Sequence, residues 1–389
     1  MHVVVMQRPH SKARYDHWLK QANPHMRVTI FSSTATVRPD ADLASDVRRV
    51  LVADYESPAA FSELLATCAD DVPDRIVVNS ERDVLRAAEV RTLLGIKGQK
   101  SGVALLFRDK IRMKSLFAGL TIPPVPHAVL GCLDDLLAFQ RHVGSVVVKP
   151  RDGVGSMGVR VCHDEEGIRR CFTADAAYLE ALHRGGLMAE KFVPGSVYHV
   201  DVVVVDDRPV LISPSRYTSP PHKFATDNLG SVMLDESSAM YGLLHASATE
   251  FVGNLPHGHG AGVLHLEYLE DAEGRLHFGE VACRVGGALV KNAVSHTYGV
   301  DISKLACLTA AGCYVPAVDM PRVGLPSGWI LNNGGAAVSS SGVDFPWVVE
   351  SDFRTRDGAP ANSVDAAARF LVEGRDEHEI EQRLQRLFQ

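Results

Sequence analysis

Residues 263–287 read VLHLEYLEDAEGRLHFGEVACRVGG. Two runs that alternate apolar and polar residues, Val263 to Leu269 and Leu276 to Val281, flank the turn-forming EDAEG, which is the pattern of an antiparallel strand pair. That pairing makes Glu267 and Glu280 neighbours. Two carboxylates brought together repel unless a cation sits between them, and magnesium, which takes oxygen ligands and keeps waters while bridging phosphates, suits such a pair. The plainer reading is two solvent-facing strand residues, since Glu is normally exposed. Arg284 follows on the same segment and leads into Gly286 and Gly287, where a guanidinium can fork onto a carboxylate or phosphoryl oxygen.

Upstream, LMAEKFVPG at 187–195 carries Glu190 and Lys191 inside an apolar run. Burying such a pair is costly unless it is matched, and a bound polar ligand is one match; an exposed strand edge is the alternative. Further upstream, VVVKPRDGVGSMGV at 146–159 is a β-branched run ending at Lys149, then Arg151 and a loop of Gly153, Gly155, Ser156, Met157 and Gly158 before a second strand. The loop therefore lies in a hairpin and not ahead of a helix, as a P-loop does. Its glycines let backbone N–H groups wrap a triphosphate while Lys149 and Lys110 offset charge. Alone, such a hairpin is more often a flexible turn.

Residues 1 to about 105 alternate β-rich runs (Val3 to Met6, Arg27 to Phe31, Arg49 to Val52, Arg75 to Val78) with helical patterns at Pro58 to Cys68 and Glu81 to Leu94, which implies a small parallel sheet. The turn after the first run, QRPHSK, lacks the glycines of a dinucleotide site. A helical stretch begins at Asp109 and ends at Gly119 before IPPVP. Strands are also expected at Val200 to Val205 and Val210 to Ile212, and helices at Leu289 to Tyr298, Ile302 to Ala311 and the charged end EHEIEQRLQRLF.

With 389 residues, 46% of them hydrophobic, the chain can bury more than one core. A net charge of −7 and no Lys/Arg-rich run argue against nucleic acid or an anionic membrane as partner. No apolar stretch reaches the roughly 20 residues of a membrane span. MHVVVMQRPH lacks the form of a secretion signal. The seven cysteines form no CxxC pair, which speaks against a disulfide framework or structural zinc and for a cytoplasmic setting.

Taken in order, DKxxMK at 109–114, VVVKPRDGVGSMGV, EKFVPG at 190–195, and LEYL followed by EVACRVGG resemble the ATP-grasp superfamily over about residues 80 to 312. The segment ERDVLRAAEVRTLLGI also resembles the helix that precedes this domain in biotin carboxylase and amino-acid ligases. The resemblance implies an α/β fold, α+β in its ATP-grasp part: an N-terminal Rossmann-like unit (1–105), a small lobe with the glycine loop (106–188), a large lobe with the metal site (189–312) and a C-terminal portion packed on it (313–389). It further implies ATP and Mg2+ as cofactors. Lys110, Lys149 and the 153–158 loop would hold phosphates, Glu190, Lys191, Phe192 and Val193 the adenine, and Glu267 and Glu280 the metal. Arg284, and less directly Arg216, would meet the reacting carboxylate or acyl phosphate.

Two positions depart from the family pattern. Val197 stands where many members place a ribose-binding Glu, a role His199 would take over, the alternative being a strand histidine packed on its neighbours, and Ala282 stands where many have a metal-binding Asn, so that metal binding would lean on water instead. Cys283 has no role in the family chemistry and is read as a small hydrophobe. The implied reaction joins a small-molecule carboxylate to an amine through an acyl phosphate. The alternatives are loading of a carrier-protein thiol, a biotin-type carboxylase, and a nucleotide-binding module without catalysis. Enzymes of this build often form homodimers. The irregular loop 217–229 names no substrate.

Overall fold

The computed structural model describes residues 1–9, 11–36, 43–224, 227–334, 345–353 and 366–388. Residues 225 and 226 of the irregular loop and parts of the C-terminal portion lie outside the described residues. The N-terminal sheet is parallel and consists of β1 (His2–Met6), β2 (Arg27–Ser33), β3 (Val47–Val52) and β4 (Arg75–Val78) in the order β3-β2-β1-β4. All five residues of β1 are buried, as expected for a strand covered on both faces. Val4 and Met6 pack beneath helices Pro58–Asp70 and Val84–Leu93. Val3 and Val5 face Leu19 of helix Tyr15–Ala22 and Cys307 of helix Ile302–Ala310. That last helix belongs to the expected large lobe, so the two units share one core.

The second sheet is antiparallel, with β5 (His127–Val129), β6 (Val146–Pro150), β7 (Arg160–Cys162) and β8 (Leu187–Lys191) in the order β5-β8-β6-β7. Because β8 lies between β5 and β6, the small lobe runs through Lys191, past the expected division at 188. The third sheet has eight strands: β9 (Val197–Val205), β10 (Arg208–Tyr217), β11 (Leu229–Met233), β12 (Val263–Glu270), β13 (Leu276–Ala282), β14 (Ser327–Asn332), β15 (Val348–Phe353) and β16 (Ala368–Glu373). Their order, β13-β12-β9-β10-β11-β14-β16-β15, places the C-terminal strands within the large sheet, in continuation of it.

Behind this sheet, Phe117 is fully buried and stacks between Phe251 and Phe278, tying the 109–119 segment to helix Ala239–Gly253 and to β13. The helix at that segment covers only Lys110–Ser115, a short turn of backbone held by the Asp109 cap rather than by length. Among the described residues no helix is long and apolar enough to cross a membrane. Replacing Phe117 by Ala should lower stability by about 3–5 kcal/mol through loss of burial and an unfilled cavity, measurable as a lower urea midpoint with unchanged slope.

Candidate nucleotide and metal site

β12 and β13 pair so that Glu267 stands directly opposite Glu280. One step further the register slips, because Tyr268 faces Phe278 and Gly279 is left over as a bulge. A Cβ at Gly279 would come within 2.7 Å of Leu269 Cδ1 and 3.1 Å of the Glu267 carbonyl oxygen, so a side chain is crowded out there. The Gly279 carbonyl accepts a hydrogen bond from Lys114 Nζ at 2.7 Å. Lys114 has no exposed side-chain surface and also pairs with Glu190 Oε1 at 2.9 Å, while Lys149 Nζ lies 2.9 Å from Glu190 Oε2. Lys110, at the start of the Asp109-capped turn, donates to the Gly153 carbonyl at 2.8 Å and lies 3.4 Å from Glu280 Oε2.

Burial by itself opposes the charge on each of these groups, and their partners decide the outcome. Burial wins at Lys114, whose pKa falls despite Glu190. At Lys149 the carboxylates of Glu190 and Glu280 prevail and its pKa rises. Against burial, Lys114 and Lys149 bring Glu190 down to about 2, and Lys110 with Lys149 brings Glu280 down to about 2. Glu190 is thus paired with two ammonium groups of the chain, while Lys191 beside it is exposed.

These groups, apart from Lys114, border one cleft. On its walls are Lys110, Lys149, Gly153, Gly155, Ser156, Met157, Glu190, Lys191, Phe192, Val193, Glu267 and Glu280, together with the apolar Val147, Val159, Val197 and Leu269. Gly158 belongs to the same loop, in which Gly155, Ser156 and Gly158 have φ of 60°, 59° and 72°. A Cβ at Gly158 would lie 3.0 Å from Pro150 Cγ. The N–H groups of Lys191 and Phe192 are taken by the Pro126 and Ser145 carbonyls, whereas that of Val193 meets no backbone carbonyl among the described residues. An apolar slot with one available hinge donor, a cationic end with a glycine loop, and two carboxylates in register fit a nucleoside triphosphate and a divalent cation.

Four expected site residues, Gly158, His199, Arg216 and Arg284, do not line this cleft. His199 is 2% exposed, with Nδ1 2.8 Å from Asp201 Oδ2 and Nε2 2.7 Å from Ser231 Oγ, so its ring is occupied inside the sheet. Arg216 pairs with Glu381 of the C-terminal helix Glu377–Arg386. Arg284 donates to Glu81 Oε2 at 3.1 Å and to the Val285 carbonyl at 2.9 Å, at the seam with the N-terminal unit. Cys283 accepts from Gln99 at 3.6 Å, and burial pushes its thiol up to about 11, consistent with an inert role.

Sequence reasoning also passed over residues that the structure brings in. Lys114 of the DKxxMK motif joins Glu190 to the Gly279 carbonyl, and Lys223, Pro220 and Pro221 line the cleft from the irregular loop. Asp201 Oδ1 lies 2.9 Å from His265 Nδ1, and His265 Nε2 lies 3.5 Å from Glu267 Oε1. Among the described residues, His199, Asp201 and His265 form the one group of three metal-type side chains with donor atoms within 4.8 Å of one another. Asp201 and Glu267 outweigh burial at His265 and push it up to about 9.

Removing one partner of a buried, hydrogen-bonded charge set leaves the others uncompensated. Glu190→Gln should therefore cost about 3–5 kcal/mol at neutral pH. Because the folded Glu190 pKa of about 2 lies below its ordinary value, its stabilisation is fully present above the ordinary value and is lost as pH falls toward 2. Acid unfolding followed by circular dichroism should accordingly show a shallower loss of stability below pH ~4.5 in Glu190→Gln than in the unmodified chain.

No family model matches the sequence. An L-arginine-specific L-amino acid ligase of Bacillus subtilis is 25% identical over 231 residues, 59% of this chain and 55% of the relative. The chain spans about half the length of the curated relatives it matches. Among solved structures, an L-amino acid ligase from Bacillus licheniformis superposes with a TM-score of 0.69 at 17% identity, covering 99% of this chain and 96% of the other. The biotin carboxylase domain dimer of the Hydrogenobacter thermophilus 2-oxoglutarate carboxylase, solved with MgADP and bicarbonate, gives 0.70 at 18% identity, covering 99% and 89%. With these superpositions and a cleft whose walls carry the motifs read from the sequence, the chain has the ATP-grasp fold.

Proposed function

We propose that this chain is an ATP-dependent, magnesium-requiring ligase that activates a small carboxylate as its acyl phosphate and transfers the acyl group to an amine. The observation that carries the reading is the shared cleft: Glu267 and Glu280, opposed in register, line it together with Lys110 and Lys149. A carboxylate is a poor electrophile at neutral pH, and transfer of a phosphoryl group gives it a leaving group. Positioning and charge neutralisation do most of that work.

The nucleotide brings negative charge to ammonium groups that now hold Glu190, Glu280 and the Gly153 carbonyl, so Lys110 can exchange Gly153 and Glu280 for phosphate oxygens and free Glu280 to meet the cation. Bound magnesium supplies charge stabilisation at the transferred phosphoryl group. Lys149 is held in its charged form by Glu190 and Glu280, against burial, which suits a phosphate contact. Arg284, beside the cleft and tethered to Glu81, is the candidate for the acyl phosphate; reaching it requires breaking that ion pair. Arg216 would need to leave Glu381 to act on the same anion. The similarity to L-amino acid ligases supports an amino acid as one substrate, and the similarity to carboxylases makes bicarbonate the competing carboxylate.

An ADP-release screen with amino acids and small acids, singly, in pairs and with bicarbonate, tests the assignment. Turnover that needs two organic components supports amide formation, while turnover driven by bicarbonate reassigns the chain to carboxylation. Glu280→Gln should reduce ADP release by about 100-fold or more, and Lys149→Met by about 100–1000-fold, from steady-state rates at saturating substrate. Full turnover in Glu280→Gln removes that residue from the metal site.

A further inference from the structure

His265 sits on β12 two residues before Glu267, so both side chains project from the same face of the sheet. Its cross-strand partner is Ala282, two residues after Glu280 on β13. The methyl group of Ala282 leaves the polar work at that level of the sheet to the imidazole. The ring is 4% exposed and is oriented from behind: Nδ1 lies 2.9 Å from Asp201 Oδ1, and Asp201 Oδ2 is engaged by His199. A hydrogen bond donated from Nδ1 to a carboxylate leaves Nε2 as the ring's coordinating atom, the arrangement by which proteins orient a metal-binding histidine.

Around Nε2 the distances are too long for good hydrogen bonds. His265 Nε2 lies 3.5 Å from Glu267 Oε1 and 3.4 Å from the Tyr217 hydroxyl, and that hydroxyl lies 3.4 Å from Glu267 Oε1. Donors on one cation with bonds of about 2.1 Å stand about 3.0–3.4 Å apart, close to the separation of His265 and Glu267, while Glu280, held by Lys110, stands outside that spacing. The backbone is shaped to admit this cluster. A Cβ on Gly286 would lie 2.8 Å from both Asp201 Oδ1 and His265 Nδ1, so a side chain there would press on the hydrogen bond that aims the ring.

We propose that His265 is a direct ligand, through Nε2, of the divalent cation held by Glu267 and Glu280, with Asp201 as the positioning residue that fixes its tautomer. The inference rests on the metal site proposed above. Glu280 joins when Lys110 turns from it to phosphate. One nitrogen ligand among oxygens favours a transition-metal ion over magnesium, so the site binds Mn2+ more tightly relative to Mg2+ than an all-oxygen site does.

Pulsed EPR of the full chain with Mn2+ and ADP reads the nitrogen ligand directly. The expected result is a 14N modulation that changes to the 15N pattern when histidine alone is 15N-labelled, which excludes the adenine nitrogens and requires no variant. In His265→Gln the modulation should vanish and Mn2+ affinity fall by about 10–100-fold, with a smaller loss for Mg2+. Metal-free ADP binding by the variant checks that it is folded. Bound Mn2+ without a histidine signal overturns the inference and leaves the metal site standing. Failure of Mn2+ to bind at all, or Mn2+ binding unaltered in Glu280→Gln, overturns the metal site and the inference with it.

Discussion

Glu190 is the group on which the cleft depends. It lies on the central strand of the small sheet, receives Lys114 on one carboxylate oxygen and Lys149 on the other, and is 5% exposed. Lys114 in turn donates to the Gly279 carbonyl on β13, so one buried carboxylate links the small sheet, the short Asp109-capped turn and the edge of the large sheet. Taking such charges from water is costly, and the cost is recovered only when each has partners in good geometry. The consequence is a cationic wall whose position is fixed before any ligand arrives. Electrostatic stabilisation is most effective from groups that need not reorganise.

Opposite that wall, backbone shape does what side chains cannot. The bulge at Gly279 turns a carbonyl toward Lys114 while leaving Glu280 in register with Glu267. Without the extra residue, the strict alternation of a strand pair would carry Phe278 and Glu280 to different partners. Gly286 then lets the chain pass close over Asp201 and His265. The acidic edge of the cleft is therefore a product of two residues with no side chain.

The sequence disclosed the Glu267–Glu280 apposition because a short turn between two alternating runs fixes register locally. It could not disclose the match for Glu190, since Lys114 and Lys149 approach from other elements, and the apolar run around it fitted a ligand equally well. His199 shows a different limit. Period-two alternation puts Val197, His199 and Asp201 on one face, yet only Val197 reaches the cleft, because Tyr217 and helix Val290–Tyr298 cover the rest of that face. Helix Ala239–Gly253 is mostly apolar on several sides and gave no clear period, and the C-terminal strands join the large sheet through pairings that span long stretches of chain.

The two departures, Val197 and Ala282, have opposite physical consequences. At Val197 the cleft wall is apolar and continuous with Leu269, so the ribose of the proposed nucleotide would gain van der Waals contact there but no charged acceptor. At Ala282 the lost polar group faces an imidazole already aimed by Asp201, so polarity at that level of the sheet is conserved while its source moves across the strand pair. A site can thus keep its charge balance while exchanging an oxygen donor for a nitrogen one. In the proposed site that exchange would act on the cation and leave the apolar wall of Val147, Val159, Val197 and Leu269 as it is.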